Sequence, residues 1–246
     1  MSFNKAEFEE VQKERQEYVE NIGIEYRYGC YEEKRSDSCH LLGEYMEAVM
    51  QKFDRAYALF KENCELRKYP RSCYKYATYR LSGKECEPSL KEMIKPLEVA
   101  CAANLPPACR LLSLVYWNGE PDRPPDSFKA ETFMKKACEL EDAEACWLLS
   151  TWYIGDKKFA VSKGGSKKDF EPGRIGRLER DMERALEFGK LACDLNIPQS
   201  CANVARMYKI GDGIPKNPDL AKEYADRAKA MFDVITKGET PSGFTG

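Results

Sequence analysis

Eleven cysteines stand out in this 246-residue chain, and ten of them fall into five evenly spaced pairs. Cys30 and Cys39, and Cys64 and Cys73, are nine residues apart; Cys101 and Cys109, Cys138 and Cys146, and Cys193 and Cys201 are eight apart. The chemistry that this spacing suits is local disulfide formation. In ACELEDAEACWLL, from Ala137 to Leu149, each cysteine lies about one helical turn, roughly 5.4 Å, from a turn centred near Asp142. Two cysteines level with each other on packed antiparallel helices meet the separation of roughly 4.4 to 6.8 Å between Cα atoms that a disulfide requires. Zinc binding wants clustered ligands such as paired CxxC, and this chain has no CxxC and one histidine, His40. Cys86, in SGKECEP, is the odd thiol, expected unpaired in an exposed loop. It leaves two readings open, an incidental thiol or one that forms a mixed disulfide with a partner or plays a resolving role in exchange.

Other residue types offer less. An SxxK pair of the kind that acylating serine hydrolases use occurs at Ser2 with Lys5 and at Ser72 with Lys75. Thirteen serines and 24 lysines in 246 residues produce about one such pair by chance, and the accompanying SDN and KTG elements are missing. No catalytic residue, cofactor-binding residue or metal ligand is therefore expected. Trp117 and Trp152 are expected in the repeat core rather than on a ligand platform.

The elements that must position the cysteines are helices. Apolar residues recur at helical spacing on both sides of each pair, as in Phe133, Ala137 and Leu140 before one turn and Trp147, Leu148 and Tyr153 after it. The second cysteines, Cys39, Cys73, Cys109, Cys146 and Cys201, are separated by 34, 36, 37 and 55 residues, a period in the range of helical solenoids. An aromatic and then a glycine follow most of them: Tyr79 and Gly83, Tyr116 and Gly119, Tyr153 and Gly155, Tyr208 and Gly211. Glycine accepts the left-handed backbone that ends a helix. Asp126 or Ser127, and Asp219, are expected to cap the helices that come next. Each helix pair is too small to close its own core, so stacking supplies the burial.

The predicted fold is all-α, a right-handed α-solenoid of antiparallel helix pairs stapled by disulfides. Residues 1–36 are read as an N-terminal helical cap and half repeat, 37–232 as five repeats, and 233–246 as a disordered tail. Within the cap, an amphipathic helix from Phe3 to about Asn21 precedes a short segment carrying Tyr26, Tyr28 and Cys30. The fourth repeat is long by about 18 residues, and its insertion, 156–178, carries seven Lys or Arg against three acidic residues and four glycines. That composition reads as a solvated arm, open to peripheral contact with anionic lipid or an acidic partner. The chain as a whole has a net charge of −2 and a pI near 5.8, with no bias toward nucleic acid.

The opening residues MSFNKAEFEEVQKERQEYVE lack the apolar core of a secretory signal and are too acidic for a matrix presequence, and no apolar run is long enough to span a membrane. Paired cysteines without a secretory signal point to the mitochondrial intermembrane space, where oxidation can retain a small protein after import.

Segments such as CRLLSLVYWNGE and CANVARMYKIGDGI, each followed by a helix such as KAETFMKKAC or LAKEYADRAK, resemble Sel-1-like (TPR-like) repeats over about residues 37 to 232. With the five bridged hairpins, EYRYGCYEEK and ACDLNIPQSCANVARMYKIGDG, the chain is similar to the family of cytochrome c oxidase assembly factor seven. The resemblance implies a non-enzymatic scaffold of the intermembrane space, a monomer that assists assembly of respiratory-chain complex IV. Its implied partners are respiratory-chain subunits, other assembly factors and the oxidative import machinery. The architecture also resembles the Helicobacter cysteine-rich proteins, which leaves a thiol-dependent oxidoreductase or a beta-lactamase-like penicillin-binding protein as the alternative. The insertion 156–178 departs from the assembly-factor pattern.

Overall fold

The computed structural model describes residues 5–119, 123–155 and 178–237. Among them are eleven α-helices and no β-strand, in two compact units, Met1–Ala103 and Asn104–Gly246. Within each unit every helix packs on its neighbours in sequence, the pattern of stacked antiparallel helix pairs. The insertion falls outside the described residues except for Leu178, as do residues 238–246 of the tail.

The first unit holds α1 (Lys5–Tyr31), α2 (Ser36–Ala48), α3 (Phe53–Arg67), α4 (Pro70–Ser82) and α5 (Leu90–Ala102). The cap is one unbroken helix of 27 residues instead of a helix and a short segment. Gly23 and Gly29 do not interrupt it, because they are where α2 comes closest. A Cβ on Gly23 would lie 2.5 Å from the ring of Tyr45, and one on Gly29 would lie 2.5 Å from Ser38 Oγ.

The second unit holds α6 (Pro106–Asn118), α7 (Ser127–Glu139), α8 (Ala143–Ile154), α9 (Met182–Asp194), α10 (Pro198–Ile210) and α11 (Pro218–Lys237). Ala130 and Ala185 are fully buried, and Ser113 and Ser150, each four residues past a cysteine, donate their hydroxyls to the carbonyls of those alanines. Small residues at both positions bring the helices close enough for this bond. Asp126 caps α7 by accepting from the Lys129 amide, at 3.0 Å. The cap of α11 is Asn217, which accepts from Leu220 at 3.0 Å, and Asp219 sits inside the first turn. Proline 218 takes the first helical position, where its missing N–H costs nothing, so the capping role falls to the residue before it.

Two kinds of turn alternate. Four of the cysteine-bearing second helices, α4, α6, α8 and α10, end at Gly83, Gly119, Gly155 and Gly211, all with positive φ. Gly119, at φ 66° and ψ −168°, occupies a region essentially restricted to glycine. The turns inside each cysteine pair use other residues. Lys34, Lys68, Asn104, Glu141 and Asn196 all have φ between 53° and 66°, and each lies five residues before the second cysteine of its pair.

Candidate functional site

The bridges come first, because the repeat is built to bring them together. Cys30 and Cys39 join α1 to α2, and Cys64 and Cys73 join α3 to α4, with Cα atoms 4.4 and 4.6 Å apart. Cys138 and Cys146 join α7 to α8, and Cys193 and Cys201 join α9 to α10, both at 4.7 Å. Cys101 and Cys109 are disulfide-bonded as well. All ten are at most 5% exposed, so a thiolate from outside has no path to the sulfurs.

Cys86 carries the free thiol. The loop after Gly83 folds back instead of presenting it fully to solvent: Ser89 N bonds Arg80 O at 3.1 Å, and the half-buried Cys86 Sγ donates to Tyr79 O at 3.4 Å. Tyr57 lies against the same thiol, its hydroxyl pushed up to about 12, chiefly by burial.

His40 belongs to the one array with the residue types of a hydrolytic triad. His40 Nδ1 lies 3.1 Å from Ser72 Oγ, and Nε2 lies 3.4 Å from Glu44 Oε1. Asn63 Nδ2 donates to Ser72 Oγ and to Ser36 O, both at 2.8 Å. The imidazole packs between Phe60 and Tyr69, ring centroids 5.5 Å away on each side. Burial lowers its affinity for a proton below the ordinary histidine value and so favours the neutral ring, whose Nδ1 shares a hydrogen bond with Ser72 while Nε2 lies near Glu44 without bonding it. A nucleophile must be reachable, and Ser72 is 0% exposed. Lys75, the partner of Ser72 in the SxxK pair, is turned away and bonds Glu47 at 2.6 Å. The array pins α2, α3 and α4 together. It escapes detection in the sequence because its members are up to 32 residues apart.

The second unit carries a more accessible cluster. Tyr153 and Lys135 donate to the Glu131 carboxylate, with Arg184 Nη1 3.5 Å from it. Burial works against the charge on Glu131, but the bonds from Lys135 and Tyr153 prevail and hold it below the usual carboxylate range. Ionised and saturated with donors, it is a poor general base. The groove beside it, about 630 Å³, is lined by Phe128, Tyr153, Arg180, Met182 and Arg184 among others. Trp117 and Trp152 stack face to face, centroids 3.7 Å apart and 2° from parallel. Trp117 is 8% exposed, while Trp152, Trp147, Leu148 and Leu114 stay half-exposed on the same two helices, α6 and α8. These surfaces offer rings, aliphatic side chains and paired charges, the materials of protein recognition. Among the described residues, no three His, Cys, Asp or Glu side chains are grouped to hold a metal ion.

Comparison with known proteins adds the family. Cytochrome c oxidase assembly factor 7 of Xenopus tropicalis is 33% identical, over 89% of this chain and 90% of its own. The Drosophila melanogaster homolog of that factor is 34% identical, over 93% and 92%. The chain belongs to the cytochrome c oxidase assembly factor 7 family. In this family member the Sel1 repeat model matches residues 106–142, 170–197 and 198–231. A Sel1 repeat protein from Oxalobacter formigenes, 18% identical, superimposes with a TM-score of 0.61 over 86% of this chain and 84% of its own, a likeness of fold.

Proposed function

We propose that this protein is a non-enzymatic scaffold of the mitochondrial intermembrane space that assists assembly of cytochrome c oxidase, respiratory-chain complex IV. The observation that carries this reading is the alignment with assembly factor 7 over about nine-tenths of both chains. Supporting it, the residues that could do chemistry are engaged otherwise: ten cysteines are spent on bridges, Ser72 and His40 are sealed, and Glu131 is fully bonded. A scaffold needs rigid helices and exposed recognition surfaces, and both are present. The ten bonded cysteines support an oxidising compartment. Among the described residues no helix is long and apolar enough to cross a membrane, so contact with inner-membrane complexes would run through surface docking.

The test is depletion and rescue in cells of the source organism. Depletion should lower assembled complex IV on native gels and its share of respiration, and re-expression of the full chain should restore both. Protease should reach the protein only after the outer membrane is ruptured. Unchanged complex IV after depletion would overturn the assembly role, and a protein digested in intact mitochondria or protected in mitoplasts would overturn the compartment.

A further inference from the structure

In the second unit, the tyrosine that follows the second cysteine of each pair is covered by a cation. Arg123 and Lys129 lie 4.9 and 5.0 Å from the ring centre of Tyr116, Arg184 lies 5.6 Å from that of Tyr153, and Lys190 lies 5.3 Å from that of Tyr208. Phe128, in the first turn of α7, differs. Its side chain is 82% exposed, and among the described residues no cation lies over the ring. A single exposed phenylalanine needs no explanation by itself. This one forms a wall of the groove of about 630 Å³ that also holds Tyr153.

Beside that ring the charges do not balance. Arg180 is held by Asp212 at 3.1 Å, Arg184 by Asp181 at 3.4 Å and by Glu131 at 3.5 Å, and Lys135 bonds Glu131 as well. Asp126 and Asp181 answer the amide ends of α7 and α9. Two carboxylates on the groove, Glu179 and Glu183, stay exposed and pair with no cation among the described residues. Glu131, Glu179, Asp181, Glu183 and Asp212 thus stand against Lys135, Arg180 and Arg184, an excess of negative charge carried by the two open carboxylates. Anionic lipid and nucleic acid would be repelled, and a cationic side chain drawn in. An open aromatic face beside carboxylates suits guanidinium in particular, which is planar, stacks on rings and donates in a fork.

We propose that this groove is a docking site for an arginine-bearing segment of a partner protein, with the guanidinium laid on Phe128 and its N–H groups donated to Glu179 and Glu183. Leu178 and Met182, on the same groove, give the aliphatic stem of the arginine an apolar wall to rest on. All of these side chains belong to the second unit, and they have these properties whichever complex the protein serves.

The probe is a short capped peptide with one arginine between leucines, titrated into the full-length oxidised, isotope-labelled protein and followed by amide chemical shifts. The shifts should centre on Phe128 and on the segment from Leu178 to Glu183. Two variants remove the two halves of the site: Phe128→Ser takes away the ring, and Glu179→Gln with Glu183→Gln takes away the charge while keeping the shape. A control, Glu223→Gln with Asp226→Asn, removes equal charge from α11. Each groove variant should weaken binding about threefold or more with thermal melting unchanged, while the control should bind as the parent does. A peptide with citrulline for arginine, neutral but of the same shape, should not bind, and one with lysine should bind more weakly. The proposal is overturned if the arginine peptide does not bind or shifts amides elsewhere, if the α11 control weakens it as much as the groove variants, or if the citrulline or lysine peptide binds equally. It is also overturned if deleting residues 157–177 tightens binding, which would assign the groove to the chain's own basic insertion. A dimer in sedimentation that Phe128→Ser abolishes would overturn it too, by assigning the groove to a second copy.

Discussion

His40 is the only histidine in the chain, and its surroundings decide what acid does to the fold. Burial holds its proton affinity below the ordinary value of 6.5; Glu44 and Glu47 oppose the shift, and Arg71 and Lys75 add to it. The unfolded chain therefore takes up a proton that the folded chain resists, and the stability from His40 is present above pH 6.5 and lost as pH falls below it. Between pH 7.5 and 5.5 this is the one side chain whose ordinary value lies in range. The urea midpoint should drop across that interval, and His40→Gln should flatten the drop at a cost of about 1–3 kcal/mol at pH 7.5, from the broken Ser72 bond. An unchanged pH slope in the variant would locate the acid sensitivity elsewhere. The sequence shows His40 and Ser72 as isolated residues. Folding makes them neighbours, because the array joins three helices and no periodicity announces it.

At the level of elements, the turns inside the cysteine pairs depend on one backbone state. Five residues before each second cysteine the chain turns left-handed, at Lys34, Lys68, Asn104, Glu141 and Asn196. A residue other than glycine pays roughly 1–2 kcal/mol there, and a β-branched one more. Lys68 lies between Cys64 and Cys73, with its N–H on Cys64 O at 3.1 Å. Lys68→Val should lower stability by about 1–2 kcal/mol in urea, and Lys68→Gly should match or exceed the parent; equal midpoints for both would mean that the turn does not depend on φ. This device is hidden from the sequence because lysine, asparagine and glutamate share no chemistry that marks a left-handed turn. The glycine that ends the other helix in four of the repeats was legible, since its residue type and its backbone state coincide. The length of α1 was not: Gly23 and Gly29 look like breakers, and only the close approach of α2 explains them. Helix existence followed from the 3.6-residue period, whereas the cap of α11 moved by two residues to suit Pro218.

At the scale of the whole molecule, packing within each unit runs from each helix to the next, and each bridge closes a loop of only eight or nine residues. A loop of that size contributes about 2.5 kcal/mol in the chain-entropy account. Such a chain responds locally to the loss of one staple. Cys138→Ala with Cys146→Ala should cost about 2–3 kcal/mol, with hydrogen exchange speeding up in α7, α8 and α9 and little change in α1 to α4. Uniform acceleration would show cooperativity reaching beyond neighbouring helices. The same architecture ties stability to compartment. All ten paired sulfurs are buried, so oxidation has to accompany folding, before the helices close over the cysteines. Protein taken from mitochondria under acid quench and alkylated before reduction should therefore carry one label, at Cys86, and eleven after reduction. Several labels before reduction would mean that the helices fold and pack with free thiols, as small buried cysteines can. The bridges would then be incidental to the fold, and the argument from oxidation to the intermembrane space would fail while the repeat architecture stood.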